Sequence, residues 1–442
     1  MQTGFIAAID LGTSNIKGVV GKTNENNVIS ILACEVISSD QSVRRGLVYN
    51  IEKTGGLVRK MVTLLENKLG KKIAKVYVSV SGQSVHTEDF TAREQLSSTE
   101  IITENVIQQL CQKADNYVPK DYKLYSVADV EYFVDDKPER NPVGVSCSQI
   151  EGAYKMVVGR PNIAINIQKS VKERAGVDIA GLIIGPVAAA QIALSEDEKD
   201  LGCAFIDFGA GTTSLSIFKG GKLRKMVVLP FGGQNITKDI SALNFTESDA
   251  EQYKLKFGKL MSKETTKQNN LTSPFSSKAK PDIDMEELNK VIEMRLDEIT
   301  INIKEQIHNS GYESELGSGI IITGGASQLK NLDQYLTEKL KMPVRKASAK
   351  KMFINNYAEL ANDPSLTQVL GLLKFGKDNC EEVEVEQPVE EEQVQKEEKK
   401  QPEKKPQKTN KTKNTKNSET EGRIKNKFTD FFNTLFEDDS DE

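Results

Sequence analysis

Ile9-Asp10-Leu11-Gly12-Thr13-Ser14, near the start of the chain, and Ile206-Asp207-Phe208-Gly209-Ala210-Gly211-Thr212-Thr213, far downstream, read nearly alike. Each is an apolar strand ending in Asp, then a Gly/Ser/Thr turn, then a second alternating run. One Asp-Gly turn is an ordinary hairpin signal. Two with the same flanks predict a duplicated clamp that holds a metal-bound polyphosphate between two halves of the protein. Such a ligand needs backbone N–H groups aimed at its oxygens, hydroxyls as adjustable donors, and carboxylates for the metal. Gly12, Gly209 and Gly211 let the backbone approach unobstructed. Thr13, Ser14, Thr212 and Thr213 offer hydroxyls and amides, and Lys17 a point charge. Asp10 and Asp207 are expected to face each other and hold Mg²⁺ through water, because Mg²⁺ dehydrates reluctantly. Taken singly, each turn reads equally well as a tight hairpin with a polar tip.

A third stretch, Thr323-Gly324-Gly325-Ala326-Ser327-Gln328-Leu329, is a buried strand that ends in paired glycines and is expected to enter a helix. A flat base and ribose can rest on the bare backbone of Gly324, Gly325, Ala326 and Ser327 beside a helix N-terminus. A plain strand-to-helix turn is the alternative. In Asp249-Ala250-Glu251-Gln252-Tyr253-Lys254, Glu251 and Lys254 lie one helical turn apart. They suit the ribose hydroxyls; a surface ion pair is the commoner fate of such a pair alone.

The 442 residues suffice for two lobes, each with its own core. A formal charge of −5 argues against bulk nucleic-acid binding. Only two histidines, His86 and His308, are present, which disfavours a histidine triad or multi-His metal site. Cys34, Cys111, Cys147, Cys203 and Cys380 show no metal-ligand spacing, and their odd count predicts free thiols in a reducing cytoplasm. No basic segment or cleavage site precedes the first strand. The longest apolar stretch, 179–194, is interrupted by Gly181, Gly185, Pro186 and Gln191 and is short for a bilayer span, so membrane contact is expected to be peripheral.

Along the chain, residues 5–10, 16–20 and 28–36 read as strands, followed by a helix over Ile51–Leu69 ending at Gly70 and a strand over 76–80. The rhythm breaks over 83–162. There a polar loop leads to a helix starting near Thr103, with strands at 125–134 and 153–158 around Asn141-Pro142. This predicts a small inserted α+β module. Helix 162–175, strand 179–184 and helix 187–194 resume the parent pattern. A second lobe over 195–345 begins with the strand Cys203–Phe208, continues with a strand at 225–229 and a helix opened by Gly232-Gly233, and includes a polar surface loop at 262–280. Its long helix over 285–307 lies behind Asp284, a good N-cap. The chain is expected to return to the first lobe over 346–376, and the globular part to end near Phe375. Residues 377–420, rich in Glu, Lys, Gln, Pro and Asn, read as a disordered linker spanning roughly 35–40 Å.

The last segment, 421–437, regains hydrophobic order. Ile424, Phe428, Phe431, Phe432, Leu435 and Phe436 form one stripe on a helix, with Arg423, Lys425 and Lys427 at its start and acids from Glu437 onward. This charge order opposes the helix dipole, so the segment is built to fold on contact, with its bases near anionic headgroups. One such helix binds weakly; many on a polymer bind tightly. A groove on a partner protein is the rival destination.

Together these elements resemble the actin/hexokinase/DnaK-type ATPase superfamily, and more specifically the FtsA family of bacterial cell-division proteins. The resemblance is carried by Asp10-Leu11-Gly12-Thr13-Ser14-Asn15-Ile16-Lys17, Arg45-Gly46, Tyr77-Val78-Ser79-Val80-Ser81-Gly82, Asn141-Pro142-Val143-Gly144, Ser248-Asp249-Ala250-Glu251, Ile322-Thr323-Gly324-Gly325-Ala326 and the tail. It implies an α/β actin-like ATPase fold: two lobes, each a mixed sheet flanked by helices. The core of the first lobe is expected over 1–82 and 163–194, and a small α+β subdomain inserted at 83–162 in place of the usual one.

The resemblance also implies ATP and Mg²⁺ as cofactors, with Asn15 in the first phosphate turn. It implies head-to-tail self-assembly, anchoring of the FtsZ ring through the FtsZ C-terminal peptide, and recruitment of later division proteins at the cytoplasmic face of the membrane. Arg295 matches a family position that contacts the partner peptide. The chain departs from the family at Leu366 and Gln368, where an aromatic and a small residue are more usual. Gln191, on the helix joining the lobes, is the candidate for orienting a hydrolytic water and reads at least as well as a polar residue on that helix's outer face; slow or negligible turnover is expected. A small-molecule kinase of the same superfold would need a further catalytic carboxylate. A chaperone ATPase would need a β-rich domain after residue 375.

Overall fold

Asp10 and Asp207 end the central strands of two five-strand arrangements with the same wiring, and that repeat organises the molecule. The computed structural model describes residues 4–382 apart from 27, 98–99, 262–283 and 355. The expected linker over 377–420, from residue 383 onward, and the tail over 421–437 therefore lie outside the described residues, as does the polar loop at 262–280.

In chain order, β1 (Ile6–Leu11), β2 (Asn15–Thr23) and β3 (Ile29–Ser38) form a meander, and the short pair β4 (Val43–Arg44) and β5 (Leu47–Val48) leads into α1 (Ile51–Leu69). Gly70 ends α1 as expected, in the left-handed conformation at φ 65°, and Asn50 caps its start by accepting a hydrogen bond from Lys53 N. β6 (Lys75–Val80) runs parallel to β1. Then follow β7 (His86–Gln95), α2 (Glu104–Asp115), β8 (Lys123–Val134), β9 (Lys137–Glu139) and β10 (Gln149–Gly159). α3 (Asn162–Ile167) passes into a π-helix over Gln168–Arg174, then β11 (Asp178–Ile184), α4 (Gly185–Ala193) and α5 (Glu196–Leu201).

The second half holds β12 (Cys203–Phe208), β13 (Thr213–Lys219), β14 (Lys222–Leu229), α6 (Gly233–Ser241), α7 (Glu247–Phe257) and α8 (Met285–His308). β15 (Ile320–Thr323), α9 (Leu332–Leu340), β16 (Val344–Lys346), α10 (Ala358–Asn362) and α11 (Thr367–Phe375) complete it.

The first sheet has the order β11-β6-β1-β2-β3. The second begins β16-β15-β12-β13-β14, and the parallel and antiparallel pairings match position by position. The duplicated turns are thus equivalent corners of a duplicated sheet. Ile9 and Val78 of the first sheet, and Ile206 and Ile322 of the second, are fully buried in separate cores. β14 touches β7 at Val227 and His86, extending the second sheet through β7-β10-β8-β9.

Three expectations need correction. Residues 86–95 were expected to lie in a polar loop, yet they form β7, paired with β10 over ten residue pairs. Its side chains are mostly polar: pairs such as Lys155–Asp89 and Arg93–Glu151 cross the sheet, while its apolar contacts are confined to buried Ala92 and to Phe90 packed against Tyr117 and Tyr154. The stretch after Gly324 is not a regular helix but a 3₁₀ turn over Gly325–Gln328. The ordered chain continues past Phe375 to Glu382: Cys380 is fully buried and donates its N–H to Phe5 O at 2.8 Å, and the Tyr77 hydroxyl accepts from Lys377 N and Asp378 N.

Candidate functional site

The two turns meet. A Cβ on Gly211 would lie 2.5 Å from Thr13 Oγ1, so only glycine allows the second turn to close on the first. Thr13 Oγ1 also accepts from Gly46 N at 3.1 Å, while Ser14 and Asn15 are exposed. In the first sheet Asp10 pairs across the hairpin with Lys17, so Asn15 and Lys17 lie on β2 rather than in the turn itself. Asp10 is buried, and its Oδ1 accepts from Ser79 Oγ and Gln368 Nε2, each at 2.6 Å. Lys17 Nζ donates to Ser365 O at 2.5 Å.

In the second turn Asp207 is half-buried and lies against Gly324, whose φ of 91° and lack of Cβ bring the bare backbone alongside the carboxylate. Burial pushes the Asp207 carboxyl up to about 6; Lys17 opposes the shift and Asp10 adds to it. The two carboxylates and the lysine thus share one electrostatic site. Gly209 O accepts from Gly233 N at 3.0 Å and Ala210 O from Gln234 N at 2.7 Å, which seats the N-terminus of α6 on the turn. Thr212 is half-buried.

Glu251 and Lys254 are not a surface pair. Lys254 Nζ, almost wholly buried, donates to Gly233 O at 3.0 Å, Thr237 Oγ1 at 2.9 Å and Glu251 Oε2 at 2.7 Å. Ala326 packs against Gly233, and Gly325 is exposed, with Ser365 Cβ 3.6 Å from where its own Cβ would stand. These residues gather on one wall beside the second turn. A cavity of about 700 Å³ touches both turns at Thr13 and Gly211 and is walled by Arg45, Gln83, Gln234 and Lys238; Asp10, Lys17, Asp207, Glu251, Lys254 and Gly324 do not line it.

Other expected site residues are occupied elsewhere. Thr213 is buried and its hydroxyl donates to Phe231 O at 2.9 Å. Ser327 is buried and its hydroxyl closes its own turn on Gly324 O at 2.7 Å. Gln191 lies six residues into α4, where its Oε1 accepts from the buried Lys199 ammonium at 2.8 Å; that ammonium also pairs with Glu196. A helix rises about 1.5 Å per residue, so Gln191 sits well away from Gly185, the end of α4 that faces Asp10. Arg295 is not a solvated arginine: it forks onto Asp239 of α6 at 2.5 and 2.9 Å and also pairs with Glu298.

Ser79, Gln368 and Lys238 were not singled out by sequence as site groups. Ser79 was detectable from the two-residue period of β6, which puts it on one face with Tyr77 and Ser81. Gln368 stood out only as a departure from the family pattern.

The site's chemistry fits a metal-bound polyphosphate. Gly12, Gly211 and Gly324 clear the backbone, and Asp207 carries a carboxylate whose charge is disfavoured without a cation. Among the described residues no cluster of three or more Asp, Glu, His or Cys side chains forms a self-sufficient metal cage. A cation here would rest on the two Asp side chains together with water and ligand oxygens.

The duplicated sheets and facing turns define an actin-like ATPase fold. One solved structure of that shape, the PilM-PilN type IV pilus biogenesis complex, aligns over 83% of this chain and 97% of its own with a TM-score of 0.58 at 16% identity. The family model described as cell division protein FtsA matches residues 204–371, and that of the SHS2 domain inserted in FtsA matches residues 82–158. Cell division protein FtsA of Porphyromonas gingivalis is 31% identical over 329 residues, covering 74% of this chain and 68% of that protein. The Bacillus subtilis relative is 29% identical over 377 residues, covering 84% and 83%. The chain belongs to the FtsA family of cell-division proteins.

Proposed function

We propose that the chain is an ATP-binding, actin-like division protein that self-assembles at the cytoplasmic membrane at the division site and there anchors the FtsZ ring. The observation that carries the nucleotide reading is the contact of Gly211 with Thr13 beside Asp10, Lys17 and the cation-seeking Asp207. In this reading Asp10 and Asp207 hold Mg²⁺ through water, Gly12 to Lys17 and Gly209 to Thr212 cradle the phosphates, and Glu251 and Lys254 border the ribose. Gly324 to Ala326 support the base. Nucleotide locks the lobes for head-to-tail assembly, and turnover is slow or negligible.

The division proposed for the chain follows that role. Residues 1–82 and 163–194 form the first lobe, 83–162 the inserted subdomain, 195–345 the second lobe and 346–376 the return. Residues 421–437 are the membrane-targeting helix beyond a linker. Family membership supports this assignment, and among the described residues no helix is long and apolar enough to cross a membrane. FtsZ's C-terminal peptide, anionic lipids, further copies of the chain and later division proteins are the proposed partners. Arg295 serves the peptide through a fork already oriented by Asp239.

The test is co-sedimentation with anionic liposomes, with and without residues 421–442. The full chain is expected to sediment, more so when assembled, and the shortened chain to stay in solution. Small-molecule kinase activity combined with tail-independent behaviour would overturn the proposal.

A further inference from the structure

Gln368 is the second residue of α11, on the segment that returns from the second lobe, and its side chain reaches the carboxylate at the heart of the first turn. Its Nε2 donates to Asp10 Oδ1 at 2.6 Å, on the same oxygen that takes Ser79 Oγ. With Oδ1 occupied twice, the carboxylate is fixed in rotation and its remaining charge is concentrated on Oδ2, the oxygen turned toward Gly12.

The other end of the amide has its own setting. A Cβ on Gly185 would fall 2.6 Å from Gln368 Cδ and 2.7 Å from its Oε1, and would collide with Ser81 Oγ, so the missing side chain of Gly185 makes room for this amide. Ser81 Oγ is buried and has no hydrogen-bond partner among the described residues.

We infer that Gln368 is a positioning residue: it orients Asp10 toward a bound divalent cation. The inference rests on the proposed nucleotide site. Neighbouring contacts place Gln368 on a latch. Ser365 O holds Lys17, and Pro364 O accepts from Gly324 N at 3.1 Å and from Thr323 Oγ1 at 3.3 Å. One five-residue segment therefore contacts the metal-side groups of the first lobe and the base-side backbone of the second.

The experiment measures ADP affinity of the full chain by calorimetry, in Mg²⁺ and in EDTA, for the wild type, Gln368→Ala and the near-isosteric Gln368→Met. Outer-shell partners of metal ligands typically matter by about 10–100-fold. Both variants are therefore expected to lose roughly tenfold in Mg²⁺ and to match the wild type in EDTA. If Gln368→Met keeps the full Mg²⁺ enhancement, the side chain only fills space and the inference falls. Equal losses in Mg²⁺ and EDTA overturn it as well. If the wild type binds ADP in neither condition, the nucleotide reading itself fails; normal wild-type binding with unaffected variants removes this inference alone.

Discussion

At the end of β1 the Asp10 carboxylate receives hydrogen bonds from Ser79 and Gln368, whereas at the end of β12 the Asp207 carboxylate receives none among the described residues. The corners are topologically equivalent, and their registers correspond: Asp10 lies across from Lys17, and Asp207 from Ser214. Duplication thus reproduced the backbone and left the electrostatics free to diverge. One carboxylate is built into the fold by two hydrogen-bond donors. The other has none among the described residues, and burial, opposed by Lys17 and reinforced by Asp10, pushes it up to about 6. In the proposed nucleotide site the two acids would divide the work: the pre-oriented one gives geometry, and the destabilised one gives affinity for a cation.

The sharpest way to break the comparison is to neutralise each acid in turn. Asp10→Asn and Asp207→Asn should both weaken Mg²⁺–nucleotide binding by about a hundredfold, roughly 3 kcal/mol, because each removes a charge facing the cation. Their stabilities should move in opposite directions. Asp10→Asn weakens two charge-assisted hydrogen bonds and should destabilise the apo protein by about 1–3 kcal/mol. Asp207→Asn removes a charge that burial disfavours and should stabilise it by about 1–2 kcal/mol at neutral pH. Urea unfolding midpoints without ligand read this contrast, and shifts of the same sign would break the distinction between the two corners.

A smaller effect follows from pH. Because the Asp207 carboxyl sits near 6 rather than at its ordinary 3.8, the folded protein binds more protons than the unfolded chain between those values. Its contribution to stability is therefore greatest at low pH, declines as pH rises through that window, and levels off above it. Cation binding runs the other way. Below about 6 a proton competes for the carboxylate, so Mg²⁺–nucleotide affinity should fall roughly tenfold from pH 7 to pH 5. Asp207→Asn should flatten that part of the profile, and an unchanged wild-type affinity across the range would contradict the assigned asymmetry.

The repeat itself was legible in sequence because strand-Asp-Gly signals are local, and the end of α1 and the start of α8 were legible for the same reason. Gly70 and Asp284 act within one turn of their own position. What escaped notice depended on contacts between distant segments. β7 has a polar sequence and exists as a strand because β10 lies beside it. Gln191 satisfied every local expectation for a hinge glutamine, yet the ammonium of Lys199 holds it, while Gln368 reached Asp10 from the far end of the chain. Thr213 and Ser327 illustrate the limit in another way. Both were expected to face the ligand, but a hydroxyl's direction depends on which carbonyl lies nearest, and both found one inside the protein.

The subtlest test exchanges the cross-strand partner. Lys17 is the cation that opposes the upward shift of Asp207, and at the corresponding register the second hairpin has only Ser214. Lys17→Met keeps the aliphatic stem on β2 and removes the charge. Asp10 and Asp207 then face each other without a resident cation, so the midpoint of the pH-dependent nucleotide affinity should move upward, by about half a unit. Affinity at pH 8 should fall by a few-fold, since a surface-accessible charge pair contributes on the order of 1 kcal/mol. The direction of the midpoint separates two roles for the lysine. An upward move means that Lys17 acts on the acids even when no phosphate is present, making the first corner the regulator of the second. A fixed midpoint with reduced affinity means that Lys17 acts on the ligand alone, and the two corners are then independent.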